Sequence, residues 1–290
     1  MAAGRAATRR CRLAIGGLLL AVGILLGGPA RAQEAPEPVR TPFLMIDTEM
    51  HVGPVTAIAT DGTAELVATG SADKSIRLFA AADGRLLRKV VLPLGDALIG
   101  GVTGLAMAPD GSRLLAGTVS FDTGSEFDEG SLYLVEPQSG TLLGRMKHLP
   151  AAPSQVRYSP DGSRIALGYG QRGFALVTAQ GKPVFQDLKT PIAALALGDD
   201  RLVTISESAE VRMFPIAGDK VGEPSLLPIK SAGQPFSIAL SPDGARLAVG
   251  YLDRSFVDVV TLGKKTKVRL EPPPDLADGM VDGGERRVEV

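Results

Sequence analysis

The chain has no tryptophan, one cysteine, two histidines and only 4 % aromatic residues among its 290. The cysteine is Cys11, so everything after it lacks a disulfide, a thiol nucleophile and a thiolate metal site. The histidines, His51 and His148, do not have metal-ligand spacing, which argues against zinc. His51 suits a structural hydrogen-bonding role, and His148 reads as a loop residue before Pro150. There is no Gly-Lys-Ser/Thr phosphate loop, and the glycines are spaced for turns rather than for a dinucleotide. Ser71 leads into a strand and reads as a turn serine, not a nucleophile. No catalytic residue, cofactor or metal is expected.

Long apolar runs are also scarce. Leu13 to Leu26 is one of fourteen residues, short for a bilayer span. It follows Arg5, Arg9, Arg10 and Arg12 and precedes Ala30-Arg31-Ala32. A basic start, a short apolar core and an A-x-A site define a secretory signal over 1–32, cleaved before Gln33. An uncleaved anchor is the alternative. Thr8 to Leu13 resembles a twin-arginine signal, but Arg12 stands where an apolar residue is preferred, which favours the general route. The expected location is periplasmic or secreted, with no membrane association after cleavage. The signal holds five of the 31 basic residues and no acid, leaving 26 basic against 32 acidic residues. That balance argues against a nucleic-acid partner. Residues 33–42 carry Pro36, Pro38 and Pro42 and read as a flexible leader.

What the chain does have is Gly, Pro and a repeat. Five segments begin with an alternating apolar strand, starting at Val55, Val102, Val156, Ile192 and Phe236. A turn follows each: Asp61-Gly62, Pro109-Asp110-Gly111, Pro160-Asp161-Gly162, Gly198-Asp199-Asp200 and Pro242-Asp243-Gly244. Pro presets φ and Gly supplies positive φ, so these are hairpin signals. Second strands then end near Gly70, Gly117, Gly168, Ser206 and Gly250, and third and fourth strands follow. The turn aspartates lie 49, 51, 38 and 44 residues apart. A four-stranded unit at about 40 to 45 residues predicts an all-β chain, a β-propeller of four-stranded antiparallel blades over 43–270. A β-sandwich is the alternative, but it needs no recurring turn at a fixed strand position.

His51 to Val55 and Ala68 to Phe79 resemble a WD repeat. In that family a His, a Ser or Thr, an Asp and a Trp form a hydrogen-bonded tetrad. The resemblance places His51, Thr69 and Asp73 on three of these positions, with Phe79 in place of the Trp. The other repeats lack the His, and their Pro-Asp-Gly turns also fit six-bladed relatives of the TolB type. The opening Phe43 to His51 further resembles exported bacterial WD-repeat proteins, some of which carry a caspase-like domain after the propeller; with Cys11 as its one cysteine, this sequence is not expected to form one.

About five blades are expected, in a ring that does not close. Phe43 to Ile46 and Thr266 to Leu270 both have the pattern of an outer fourth strand, and only one can fill the edge of the fifth blade. Residues 271–290 read as a polar tail or the start of a truncated blade. Unclosed edges and core-facing apolar residues would be exposed. The insert Phe121, Asp122, Glu126, Phe127, Asp128 and Glu129 concentrates charge around two Phe. It reads as a solvated loop, a partner contact or, least, a cation site. The leading expectation is a protein-interaction scaffold with a protein partner. The rival is a lactonase or metal-dependent hydrolase with its site at the central channel. Converging carboxylates at the channel mouth would favour the rival, and an apolar, polar-rimmed face would favour binding.

Overall fold

A computed structural model describes residues 49–93, 100–120, 129–229, 232–264 and 266–272. These belong to one compact unit that begins at Thr48. The signal, the leader and Phe43 to Ile46 lie outside the described residues.

The protein is all-β, a five-bladed propeller of antiparallel sheets. Blade 1 comprises β1 (Val55–Thr60), β2 (Leu66–Ser71), β3 (Ser75–Ala80) and β4 (Leu86–Val91). Blade 2 comprises β5 (Val102–Met107), β6 (Leu114–Ser120), β7 (Glu129–Val135) and β8 (Leu142–Leu149). Blade 3 comprises β9 (Gln155–Tyr158), β10 (Arg164–Gly168), β11 (Phe174–Thr178) and β12 (Pro183–Asp187). Blade 4 comprises β13 (Ala194–Leu197), β14 (Arg201–Ile205), β15 (Val211–Ala217), β16 (Lys220–Val221) and β17 (Ser225–Leu227). Blade 5 comprises β18 (Pro235–Leu240), β19 (Arg246–Tyr251), β20 (Val257–Thr261) and β21 (Thr266–Leu270). Each blade is a meander in strand order, except that β16 and β17 share β15 as partner.

The turns form for local reasons. Gly111, Gly162 and Gly244 take φ of +69°, +70° and +64°. The aspartate before each accepts backbone bonds two residues on, as Asp110 does from Ser112 N at 2.9 Å and Asp161 from Ser163 N at 2.9 Å. Gly62 departs from this pattern, because in blade 1 the positive φ falls on Ala64. Gly62 serves close approach instead: its N–H donates to Pro109 O at 2.9 Å, and an added Cβ would meet that oxygen at 2.7 Å.

One other expectation is corrected. His148 is not in a loop. It lies inside β8, with φ of +57°, at an irregularity that brings Leu149 opposite Gly130. Blade 4 carries the short β16, formed because β15 runs on to Ala217 and turns back.

Strand alternation gives each blade two apolar faces. The trailing face of one blade packs on the leading face of the next. Four clusters result, joining blades 1 and 2, 2 and 3, 3 and 4, and 4 and 5. The glycines ending the second strands make room for this packing. A Cβ on Gly70 would meet Val102 of the next blade at 2.5 Å, and one on Gly117 would meet Pro153 O at 2.5 Å. First strands are also latched: Thr56 Oγ1 donates to Val102 O at 2.6 Å and Thr103 Oγ1 to Pro153 O at 2.9 Å. Gln155 completes the series, donating to Ala193 O and accepting from Leu195 N, both at 2.7 Å.

No fifth cluster joins blade 5 to blade 1 among the described residues, and β18 does not pack on β1 as the other neighbouring first strands pack on each other. The outer edge of blade 5 is filled by β21, paired with β20 from Val257↔Leu270 to Thr261↔Thr266.

Candidate functional site

The repeat supplies its own control for what is covered. Ile58, Leu105, Val156, Leu195 and Ile238 occupy one position, each facing the preceding blade. The last four are at most 5 % exposed, whereas Ile58, against which no described blade packs on that side, is 66 % exposed. On the trailing face, Ile76, Leu132, Phe174 and Val211 are at most 4 % exposed, whereas the equivalent Val257 is 37 % exposed. Val268 and Leu270 lie on the same face of blade 5 and are also exposed. A Cβ on Gly250 would meet only Ser237 of its own blade among the described residues. Among the described residues, the propeller therefore ends in two bare apolar faces of complementary kind.

The first strands converge on a central channel of about 490 Å³. Its walls are largely apolar: Leu105, Met107, Val156 and Leu197 back it from the core, and Ile58, Tyr158, Pro109, Pro160 and Pro242 supply the accessible surface. Asp61, Arg157 and Tyr158 are its titratable residues. Asp61 is engaged locally, accepting from Thr63 Oγ1 at 2.6 Å and Leu66 N at 3.0 Å. Burial raises the Tyr158 phenol to about 12. Arg157 is open to the channel yet walled by protein, and this crowding lowers its pKa. It donates from Nη1 to Val156 O at 2.8 Å. Among the described residues, no group of three His, Cys, Asp or Glu could hold a metal ion. Among the described residues, Asp61 is the one carboxylate lining the channel.

The structure brings His51, Thr69 and Asp73 together. Asp73 accepts only, which places the imidazole proton on Nδ1, 3.0 Å from Asp73 Oδ2. Nε2 then accepts from Thr69 Oγ1 at 2.8 Å. Asp73 also takes Val52 N at 3.0 Å, Ser75 N at 2.9 Å and Ser75 Oγ at 2.6 Å. Ser71 is fully buried, its Oγ donating to Gly53 O at 3.1 Å and accepting from Asp73 N at 3.1 Å. The network ties the segment before β1 to the β2–β3 turn. Phe79 sits on β3 opposite Val67 and has no donor to add. Phe121, Asp122, Glu126, Phe127 and Asp128 lie outside the described residues, and Glu129 begins β7.

A second buried polar cluster was not singled out from the sequence. The Asp258 side chain, on β20, is fully buried and accepts from Lys267 Nζ at 2.7 Å, Tyr251 OH at 2.8 Å and Arg269 Nε at 3.1 Å. Burial would raise its pKa, but these donors prevail and lower it. Alternating Lys267 and Arg269 on an outer strand was the available signal.

Residues 45–79 match the family described as WD domain, G-beta repeat. That span contains His51, Thr69, Asp73 and Phe79 and most of blade 1. No curated protein matches the chain.

Proposed function

We propose that the mature chain is an exported scaffold that binds a protein partner through the two bare blade faces. The observation that carries this reading is the contrast between Ile58 and its four buried equivalents, repeated at Val257. Apolar sheet faces left in water favour association. Propellers with a WD-type repeat are typically protein-interaction scaffolds, which supports the same reading. Export rests on the basic start, the short apolar core and the A-x-A site.

The test is capture from the periplasm with the mature chain, beside Ile58→Asp and Val268→Asp. Both side chains are mostly exposed, so the variants should fold. A partner retained by the parent and lost by either variant supports the reading. Equal capture by all three overturns it. Mass spectrometry of the exported protein should find Gln33 at its start, and an intact N-terminus in the membrane fraction overturns the exported part.

A further inference from the structure

One position on the innermost strand breaks the grammar of the repeat. The residues equivalent by register are Ala59, Ala106, Arg157, Ala196 and Ala239. Four blades place a methyl group there and blade 3 places a guanidinium. A departure of this kind from an internal repeat marks function more often than packing.

The surroundings of Arg157 do not explain it as a structural residue. Its one hydrogen bond runs to the carbonyl of the adjacent Val156, and no carboxylate of the described residues pairs with it. It projects into a channel whose walls are apolar on several sides. A cation held in such a space attracts an anion that can also cover apolar surface. The cavity, at about 490 Å³, has the size of a small-molecule site.

We propose that the central channel binds a small carboxylate with an apolar body, of the medium-chain fatty-acid kind. The carboxylate sits on the Arg157 guanidinium, and the chain lies against Ile58, Tyr158, Pro160 and Pro242, which are the accessible apolar surface of the channel. The net acidity of the mature chain means that attraction for the anion is local to Arg157 and not a property of the whole surface.

The probes are decanoate, decanol and decyltrimethylammonium, titrated calorimetrically into the mature chain below their micelle-forming concentrations. Decanoate should bind saturably at one site, and the cationic analogue should not. Arg157→Ala installs the residue that four other blades carry, so the fold should persist, which circular dichroism checks. It should weaken decanoate by about tenfold or more, the usual effect of removing a charge-assisted hydrogen bond. Arg157→Lys should keep part of the affinity. Absence of decanoate binding, equal binding to Arg157→Ala, or equal binding of decanol overturns the proposal. Apolar binding at the bare blade faces would be independent of Arg157 and so would register as failure.

Discussion

Replacing Asp73 by Asn removes a charge from the centre of the blade 1 network while keeping its shape. The carboxylate is held by Ser75, Val52 and His51 and is only 6 % exposed. Burial pushes its pKa up, but those hydrogen bonds outweigh burial and bring it from 3.8 down to about 2. A depression of that size corresponds to about 2 kcal/mol in favour of the ionised form. Because folding lowers this pKa, the stabilisation is complete above about pH 4. It is lost as the pH falls from 3.8 through about 2. Asp73→Asn lacks it at every pH. Blade 1 is a terminal blade that packs on blade 2 alone among the described blades, so the loss should appear first as local opening. At pH 7 the amide of Leu78, buried on β3, should exchange about thirtyfold faster in the variant. Urea unfolding followed by circular dichroism should show the gap between parent and variant at pH 7 and its closure near pH 2. A gap that stays constant across this range would refute the reasoning, as would unchanged exchange at Leu78.

Gly70→Ala should cost about 1–3 kcal/mol, because the new methyl meets Val102 and Leu105 of blade 2. Gly250→Ala should cost less, since it meets only the turnable Ser237 hydroxyl; thermal denaturation ranks the two, and the reverse order would mean that blade 5 is packed on both faces. Asp258→Ala should destabilise by about 2–3 kcal/mol, below the usual cost of orphaning a buried cation, because Lys267 and Arg269 are each a third or more exposed and can turn to water. Hydrogen exchange should locate that loss on β21, and unchanged exchange there would contradict it.

The blade pattern was legible in the sequence because its causes are local. Pro-Asp-Gly sets a turn with its own backbone and carboxylate, and period-two alternation makes a strand with two faces wherever it lies. His51, Thr69 and Asp73 were legible only through the resemblance of this segment to a WD repeat, and the structure joins them by hydrogen bonds. His148 was misplaced because its positive φ inside β8 depends on a strand irregularity that no residue pattern announces. The competition between Phe43 to Ile46 and Thr266 to Leu270 for one edge could be posed from strand order, but the pairing of β20 with β21 decided it.

Tertiary structure alone decided which faces are covered and what the channel holds. Ile58 and Leu105 are equivalent in sequence pattern, yet one is exposed and the other buried, because burial depends on whether another blade stands beside it. Arg157 reads in the sequence as a polar residue on a short strand. Its meaning comes from Ile58, Leu105, Leu197 and Pro242, drawn from four other blades to the same space. Hydrogen bonds within a turn are set by neighbours along the chain, whereas burial and confinement are set by distant segments brought together, so the sequence determined the blades and only their assembly determined the surfaces they offer.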